Sequence, residues 1–301
     1  IRSYIFDEAR STPELSFAIR YFKAVSGLII SASHNPKEFN GKKVYSEDGG
    51  QLIPPEDQQL SDIVAKVKEI KKIELDNAGD LLVKNIDKKV DEAYIKSISA
   101  LASKKIDKKD LKIIYSPLHG VGTSSVYATL IKNGYNVTLD EKTATLDGKF
   151  SNVKFNIPNP EVLESMETLI EKGKEIDADI LVNSDPDADR LGLMSRISGK
   201  GKNSVYQYFS GNEIAIILSH FILEKMKKNG SLPKDGLIIK TTVTSEMIKK
   251  LADFYNVGMI GDLLIGFKYI GHEIKLLEEK QQENRFVCGF EESHGYLVGT
   301  Y

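Results

Sequence analysis

The chain has little that would tie it to a membrane, to nucleic acid or to an oxidising compartment. Its one cysteine, Cys288, allows no internal disulfide, and we predict a reducing, cytoplasmic setting. No apolar run approaches the roughly 18 residues that a membrane span needs. The 41 Lys and Arg residues nearly balance the 43 Asp and Glu residues, so no bulk positive charge would attract nucleic acid or an anionic membrane.

The start of the chain shows neither an initiator methionine nor a signal peptide, and we expect an excised fragment. Its 301 residues suffice for two or three domains with sizeable cores. Short apolar runs alternate with amphipathic helical patterns, which predicts an α/β fold: consecutive α/β domains with mixed, largely parallel sheets sandwiched by helices. The mixed-sign charged run over residues 104–110 is typical of a solvated linker at a domain boundary.

Three predicted helices have residues that indicate where they begin or which face they bury. Thr12 before Pro13 is typical of a helix start, with Thr12 as the N-cap. From Glu56 to Lys71, apolar residues recur at helical spacing, and we predict that this face packs into a core. Asn212 is predicted to cap a strongly apolar helix that runs to Lys228.

The most informative stretch carries three acidic residues, Asp185, Asp187 and Asp189, between two apolar runs. This pattern predicts a strand, a loop and a second strand. Three carboxylates at one strand end repel each other, and binding of a hard divalent cation would offset that repulsion. The pattern therefore indicates a metal-binding loop. A plain acidic surface turn and an aspartyl-phosphatase strand end are the alternatives. An EF-hand is excluded, since Arg190 and Arg196 stand where that loop needs Gly and Glu.

Two further predicted strand ends carry polar clusters, Ser33-His34 with the nearby Lys43 and Glu291 with Ser293. The carboxyl ends of strands are where an α/β sheet presents its chemistry. A third strand end leads into Gly120-x-Gly122, which could cradle a phosphate, although a tight strand-to-helix turn needs the same glycines.

Four motifs in this order resemble those of the α-D-phosphohexomutase family, and within it the bacterial phosphoglucomutase/phosphomannomutase enzymes. They are Ser-Ala-Ser-His-Asn-Pro at 31–36, Asn-Gly-Lys-Lys at 40–43, Asp-Pro-Asp-Ala-Asp-Arg at 185–190 and Glu-Glu-Ser-His-Gly at 291–295. Pro-Leu-His-Gly at 117–120 and Gly-Asn-Glu at 211–213 look like further landmarks of the family. The resemblance covers essentially the whole chain.

The resemblance implies a serine that cycles through a phosphoserine, and this serine falls on Ser33. His34 and Lys43 fall on positions of proton transfer and transition-state contacts. Mg²⁺ is the implied cofactor, with glucose 1,6-bisphosphate as activator and hexose phosphates as substrates. The implied metal ligands are Asp185, Asp187, Asp189 and a phosphoryl oxygen on Ser33. The implied substrate-binding residues are Arg190, Lys268, Glu291 and Ser293.

The resemblance also implies a division into part of domain I at 1–105, domain II at 106–205 and part of domain III at 206–301, with a fourth family domain expected outside the chain. The implied reaction interconverts glucose 1-phosphate and glucose 6-phosphate through a 1,6-bisphosphate. Within the same class, mannose phosphates or pentose phosphates are alternative substrates. In other classes, an aspartyl-type sugar phosphatase and a catalytically silent sugar-phosphate sensor stay open.

Overall fold

The structure, a computed structural model, describes residues 1–69, 82–102 and 110–299. Within these ranges the strands form four sheets, and helices cover the two larger ones, so the predicted α/β class is confirmed. Most of the charged run predicted as a domain boundary lies outside the described residues. Among the described helices, none combines the length and the apolar character of a membrane span.

In residues 1–69 and 82–102 the structure describes two small sheets and three helices. Its elements are β1 (Ser3–Phe6), α1 (Thr12–Phe22), β2 (Ser26–Ile30), β3 (Lys42–Ser46), α2 (Glu56–Ala65), β4 (Val83–Ile86) and α3 (Lys88–Ser99). β1 pairs in parallel with β4, whereas β2 and β3 form an antiparallel pair. Ala18 of α1 packs against Ile86 and Val90, which joins α1 to β4 and α3.

The N-cap predicted at Thr12 is wrong by one residue. The hydroxyl of Ser11 accepts a hydrogen bond from the backbone N–H of Glu14 at 3.3 Å, and Pro13 lies in the first turn of α1. Thr12 is instead the first residue of α1, and its hydroxyl donates to Asp187, far along the chain.

The predicted core-packing face of α2 is also wrong. The helix ends at Ala65, and no residue in it is buried. The side chains of Ile63, Val64 and Val67, predicted to be in the core, are 61%, 43% and 60% exposed. Helical periodicity identifies an apolar face, but it does not tell whether another element covers that face.

The second part of the chain builds a five-stranded sheet in the order β6-β5-β7-β8-β9. Its main elements are β5 (Lys112–Ser116), a π-helical turn (Thr123–Tyr127), α4 (Ala128–Lys132), β6 (Asn136–Leu139), α5 (Glu167–Ile176), β7 (Ile180–Ser184), β8 (Leu191–Ser198) and β9 (Val205–Phe209). β5 pairs in parallel with β6 and β7, and β8 and β9 continue antiparallel. Successive residues such as Ile113 and Ile114 enter different core clusters, so both faces of this sheet are buried.

The third part forms a four-stranded sheet in the order β11-β10-β12-β13. Its main elements are α6 (Gly211–Lys228), β10 (Leu237–Thr241), α7 (Met247–Tyr255), β11 (Gly258–Leu263), α8 (Phe267–Glu279), β12 (Phe286–Glu291) and β13 (Gly295–Val298). Cys288 is fully buried in the core cluster that α6 and α7 share, and Ile239 packs against α8 in another cluster. The domain boundary predicted at residue 206 falls inside β9, and the division into domains stays a prediction.

The cap predicted at Asn212 is wrong. Ser210 caps α6, in a reciprocal arrangement with the side chain of Glu213. Asn212 instead accepts a hydrogen bond through its side-chain oxygen from the backbone N–H of Ser245 at 2.8 Å. The asparagine side chain therefore ties α6 to the loop after β10.

Candidate functional site

The acidic stretch is the loop of a β-hairpin, as its flanking apolar runs predict. Ser184 of β7 pairs with Leu191 of β8, and the loop 185–190 connects them. Asp185 orders the loop from within: its Oδ1 accepts the backbone N–H groups of Asp189 and Arg190 at 3.1 and 3.0 Å. Ala188, with φ 54°, turns the chain through the left-handed region. One carboxylate oxygen from each of the three aspartates thereby lies within 4.8 Å of the others.

Asp187 is held by three different parts of the chain. Its Oδ2 accepts hydrogen bonds from the hydroxyls of Thr12 and Ser31 at 3.0 and 2.9 Å, and from the Lys43 ammonium at 3.0 Å. The backbone N–H of Thr12 also donates to the carbonyl of Asp187 at 2.9 Å. The other carboxylate oxygen, Oδ1, is buried without a hydrogen-bond partner. Asp187 therefore offers one immobilised carboxylate with a free oxygen.

Ser33 lies directly against the acidic loop. Its hydroxyl donates to Asp185 Oδ2 at 2.6 Å and lies 3.1 Å from Nδ1 of His34. The backbone of Ser33 is in the left-handed region, with φ 50°, and its N–H donates to the Ser31 hydroxyl at 2.8 Å. A non-glycine residue in this region is uncommon and is held there by its surroundings. The hydroxyl of Ser33 is thus aimed at the carboxylates by a fixed turn.

Burial and neighbouring charges together set the pKa values of the three carboxylates. Burial raises the pKa of Asp185 well above its ordinary value, and the charges of Asp189 and Asp187 raise it further. The pKa of Asp189 is also raised, by burial and by Asp187. Burial acts in the same direction on Asp187, but the Lys43 ammonium and the hydrogen-bond donors outweigh it and lower the pKa to about 2. Three carboxylates facing one ammonium leave a negative centre that suits a cation.

Lys43 and His34 lie beside this centre, Lys43 as a cation and His34 as a neutral imidazole. Burial lowers the pKa of Lys43, but Asp189 and Asp187 outweigh it, so the net pKa is raised and the ammonium persists. Its Nζ donates to Asp187 and Asp189, both at 3.0 Å. Burial, assisted by Arg190, lowers the pKa of His34 to about 4, so its imidazole is neutral at neutral pH. The serine therefore has a neutral nitrogen base on one side and a cation nearby.

A cleft of about 560 Å³ opens above the serine. It brings together nearly all the residues predicted for the site: Ser33, His34, Lys43, Asp189, Arg190, Lys268 and Glu291 line it. Asp185 and Asp187 do not line the cleft; they are buried, at 0% and 3% exposure, behind the side chains of Ser33 and Lys43 that they contact. Glu291, at the end of β12, is buried, and burial raises its pKa. Ser293 does not line this cleft but a smaller cavity of about 220 Å³, with Glu161 and His294.

The two predicted substrate-binding cations are each engaged by a carboxylate that the sequence did not indicate. Lys268 Nζ donates to Asp57 of α2 at 2.9 Å, and Arg190 Nη1 donates to Glu161 at 2.8 Å. Thr12 was equally missed as a partner of Asp187. Its proximity to Pro13 pointed to a helix cap, and no local pattern marks Asp57 or Glu161.

The donor set fits a hard cation. Three carboxylates meet, one of them with a buried oxygen that no donor reaches, and oxygen ligands are those that Mg²⁺ and Ca²⁺ prefer. Asp185, Asp187 and Asp189 could therefore hold a metal ion.

Models of known protein families match most of the chain. The phosphoglucomutase/phosphomannomutase α/β/α domain I matches residues 1–71, domain II matches residues 92–197 and domain III matches residues 210–301. A phosphoglucomutase of Staphylococcus haemolyticus is 34% identical over 305 residues, and one of Staphylococcus epidermidis is 36% identical. Both matches cover all of this chain and 53% of the relative, so the chain spans about half the length of these proteins.

Solved structures share the fold at lower identity. A putative phosphomannomutase from Thermus thermophilus superposes with a TM-score of 0.77 at 21% identity, over 99% of this chain and 60% of that one. An Aspergillus fumigatus N-acetylphosphoglucosamine mutase, solved in complex with glucose 1,6-bisphosphate, gives 0.56 at 15% identity, over 94% of this chain and 63% of that one. Three consecutive domain matches and these relatives agree, and the chain belongs to the phosphoglucomutase/phosphomannomutase family.

Proposed function

We propose that the chain carries the phosphoserine, metal-binding and sugar-binding residues of a Mg²⁺-dependent phosphohexomutase that interconverts glucose 1-phosphate and glucose 6-phosphate. Phospho-Ser33 transfers its phosphoryl group to the free hydroxyl of the substrate, which yields glucose 1,6-bisphosphate and the Ser33 hydroxyl. Ser33 then accepts the other phosphoryl group of the bisphosphate, and the isomeric monophosphate leaves. Glucose 1,6-bisphosphate activates the protein by phosphorylating Ser33.

The observation that carries this proposal is the 2.6 Å hydrogen bond from the Ser33 hydroxyl to Asp185. A phosphoryl group on Ser33 brings close to two negative charges against three carboxylates. Asp185, Asp187 and Asp189 would hold a divalent cation, and its charge would offset this repulsion. Phosphoryl transfer relies on positioning and on stabilising the charge spread over the phosphoryl oxygens, and a metal ion at this point supplies that stabilisation.

The identity of the metal rests on the donors. Asp185, Asp187, Asp189 and a phosphoryl oxygen on Ser33 are all oxygen ligands, which suits Mg²⁺. The Aspergillus fumigatus N-acetylphosphoglucosamine mutase, which shares the fold with a TM-score of 0.53 at 14% identity, was solved in complex with GlcNAc-6P and magnesium. That likeness and the carboxylate set support Mg²⁺ for this chain.

We assign the remaining cleft residues by their chemistry. His34, neutral and 3.1 Å from Ser33, can exchange a proton with the serine oxygen, and the Lys43 ammonium can stabilise negative charge developing beside it. Arg190 and Lys268 supply charge for the substrate's phosphate groups. Glu291 can accept hydrogen bonds from sugar hydroxyls, and Ser293, on the same loop, would assist from the neighbouring cavity.

The aspartyl-phosphatase alternative has less support. Asp187 would be the nucleophile, but its Oδ2 already accepts three hydrogen bonds, and its other oxygen, Oδ1, is buried away from the cleft. A nucleophilic aspartate would also leave the hydroxyl of Ser33 without a role. Ser33, by contrast, is the group presented by a turn with positive φ toward the carboxylates.

Intact-mass measurement tests the proposal. The protein is incubated with Mg²⁺ and glucose 1,6-bisphosphate, and we expect the mass of one phosphoryl group to be gained by the wild type and by Ser231→Ala, which changes an exposed serine. Ser33→Ala should gain none, while its circular dichroism stays that of the wild type. Release of inorganic phosphate with no gain of mass would favour a phosphatase, and binding without either would favour a sensor.

A further inference from the structure

The motif Pro117–Gly122 has no part in the proposed reaction, yet it touches the metal-binding loop. A Cβ on Gly120 would lie 2.1 Å from Cα of Pro186 and 2.3 Å from its carbonyl oxygen. The backbone N–H of Val121 donates to that same carbonyl at 2.8 Å. Pro186 stands between Asp185 and Asp187, so this contact reaches the loop between two of its three carboxylates.

The second glycine of the motif makes a similar contact one residue before Asp185. A Cβ on Gly122 would lie 1.8 Å from the Tyr115 hydroxyl oxygen and 2.7 Å from Oγ of Ser184. These two hydroxyls are hydrogen-bonded at 2.7 Å in the buried interior. Because the two glycines have no side chains, Ser184 and Pro186, the two residues that flank Asp185, can pack directly against them.

The motif is itself rigidly held. The backbone N–H of His119 donates to the carbonyl of Thr143 at 2.9 Å, and its Nδ1 donates to the carbonyl of Thr145 at 2.8 Å. Its Nε2 accepts the backbone N–H of Asn152 at 3.3 Å. Leu118 beside it is fully buried. The backbone N–H groups of His119, Gly120 and Val121 all donate to carbonyl groups of the protein, so they are not available to a phosphate, and the motif acts as a support.

We propose that Gly120 and Gly122 are positioning residues for the metal site: by their lack of side chains they set the place of Asp185 beside Ser33. This inference rests on the proposed function, because it assumes that the three aspartates bind Mg²⁺. A methyl group on Gly120 must displace backbone atoms of Pro186, which cannot rotate away as a side chain can. The displacement moves Asp185 and Asp187 relative to each other and weakens their joint hold on a cation.

Calorimetric titration with Mg²⁺, without any substrate, tests the inference. We expect Gly120→Ala to weaken Mg²⁺ binding by about 10- to 100-fold, the range for residues that orient metal ligands. The matched control is Gly148→Ala in the same part of the chain, where an added Cβ meets nothing within 4 Å. It should bind Mg²⁺ like the wild type. Equal affinity of Gly120→Ala and the wild type would overturn the inference, whereas a wild type that binds no Mg²⁺ would overturn the metal site itself.

Two further variants separate positioning from general loss of stability. Cys288→Ala opens a cavity in the distant core of the third sheet, and it should lower the melting temperature without changing Mg²⁺ affinity. Tyr115→Phe removes only the hydroxyl beside Gly122 and Ser184, and it should fold and bind Mg²⁺ a few-fold more weakly. If Gly120→Ala does not fold, this variant decides: weakened binding supports the inference, and wild-type affinity overturns it.

Discussion

The buried aspartates of the acidic loop and the two predicted substrate-binding cations are held in different ways. Asp187 accepts three side-chain hydrogen bonds, and Asp185 binds two backbone N–H groups and Ser33. Arg190 and Lys268 each form an ion pair with one carboxylate. Those pairs are partly exposed: the side chains of Lys268 and its partner Asp57 are 24% and 32% exposed.

The aspartates are already in place for the reaction, whereas Arg190 and Lys268 must change partners to bind a substrate. A buried carboxylate that several hydrogen bonds hold keeps its place when a cation or a phosphoryl group arrives, so little reorganisation is needed at the reacting atoms. A partly exposed ion pair is worth only about 0–1 kcal/mol, so a phosphate can displace the carboxylate at little cost. Under the proposed function, the reacting centre is preorganised and the two cations exchange partners when the substrate binds.

The largest effect should come from removing a carboxylate of the centre. Asp187→Asn deletes one negative charge at the only described cluster of three acidic residues able to hold a metal ion. We expect Mg²⁺ affinity to fall by more than about 100-fold, beyond the range for residues that only orient ligands. Calorimetry measures it, with Asp262→Asn, an exposed carboxylate of β11, as the control. Equal affinity of both variants would show that the cluster is not the metal site.

The neighbours Ser11 and Thr12 offer a sharper form of the comparison. Thr12→Val removes a hydroxyl that donates to Asp187 but keeps the shape of the side chain, and Mg²⁺ affinity should fall by about tenfold. Ser11→Ala removes the cap of α1 and should cost about 1 kcal/mol of unfolding free energy without changing Mg²⁺ affinity. Titration with Mg²⁺ and urea unfolding of both variants measure the two effects. Weaker Mg²⁺ binding by Ser11→Ala and unchanged binding by Thr12→Val would contradict the prediction.

Glu14 is a buried carboxylate outside the metal-binding cluster. Burial, with the nearby Asp91, raises its pKa from 4.5 to about 8, although Arg10 opposes the shift. The folded state therefore binds more protons than the unfolded state between these values, and this contribution to stability is present below pH 4.5 and is lost as the pH rises through 8.

Glu14→Gln should remove the loss of stability that the wild type suffers as the pH rises. The variant stays neutral, so its unfolding free energy minus that of the wild type should grow by roughly 3 kcal/mol between about pH 5 and 8. Urea unfolding at both pH values measures the difference, and Glu92→Gln, an exposed glutamate of α3, is the control. A difference that does not change with pH would show that Glu14 is ionised in both states.

The smallest expected effect comes from breaking the ion pair between Asp57 and Lys268. Asp57→Asn frees Lys268 from its carboxylate, and because the pair is partly exposed, stability should change by less than about 0.5 kcal/mol. Affinity for glucose 6-phosphate should rise by a few-fold, since Lys268 no longer exchanges partners. Asp62→Asn on the same helix is the control. Weaker binding by Asp57→Asn would instead mean that Asp57 holds Lys268 in the position that the substrate needs.

The acidic loop and helix α2 differ in how much of their structure the sequence predicts. The acidic loop was predicted between two strands because its flanking apolar runs are local, and the hairpin of β7 and β8 confirms it. The motifs indicate Ser33 and Lys43, and both side chains contact the acidic loop. The exposed face of α2 was predicted to be buried, because its spacing carries no information about a covering element. Asp57, on the same helix, was missed for the same reason.

Composition and local pattern are enough to predict the chemical groups that are present and the elements that carry them: alternating strands and helices, an acidic hairpin loop and a serine at a strand end. Which of these groups meet depends on the tertiary fold. The hydroxyl of Thr12 reaches Asp187 across 175 residues, and the Ser33 hydroxyl reaches Asp185 across 152. The physical reason is that such contacts depend on how separately formed α/β units pack. That packing follows from shape and burial over the whole chain, whereas a strand or a turn follows from a few neighbouring residues.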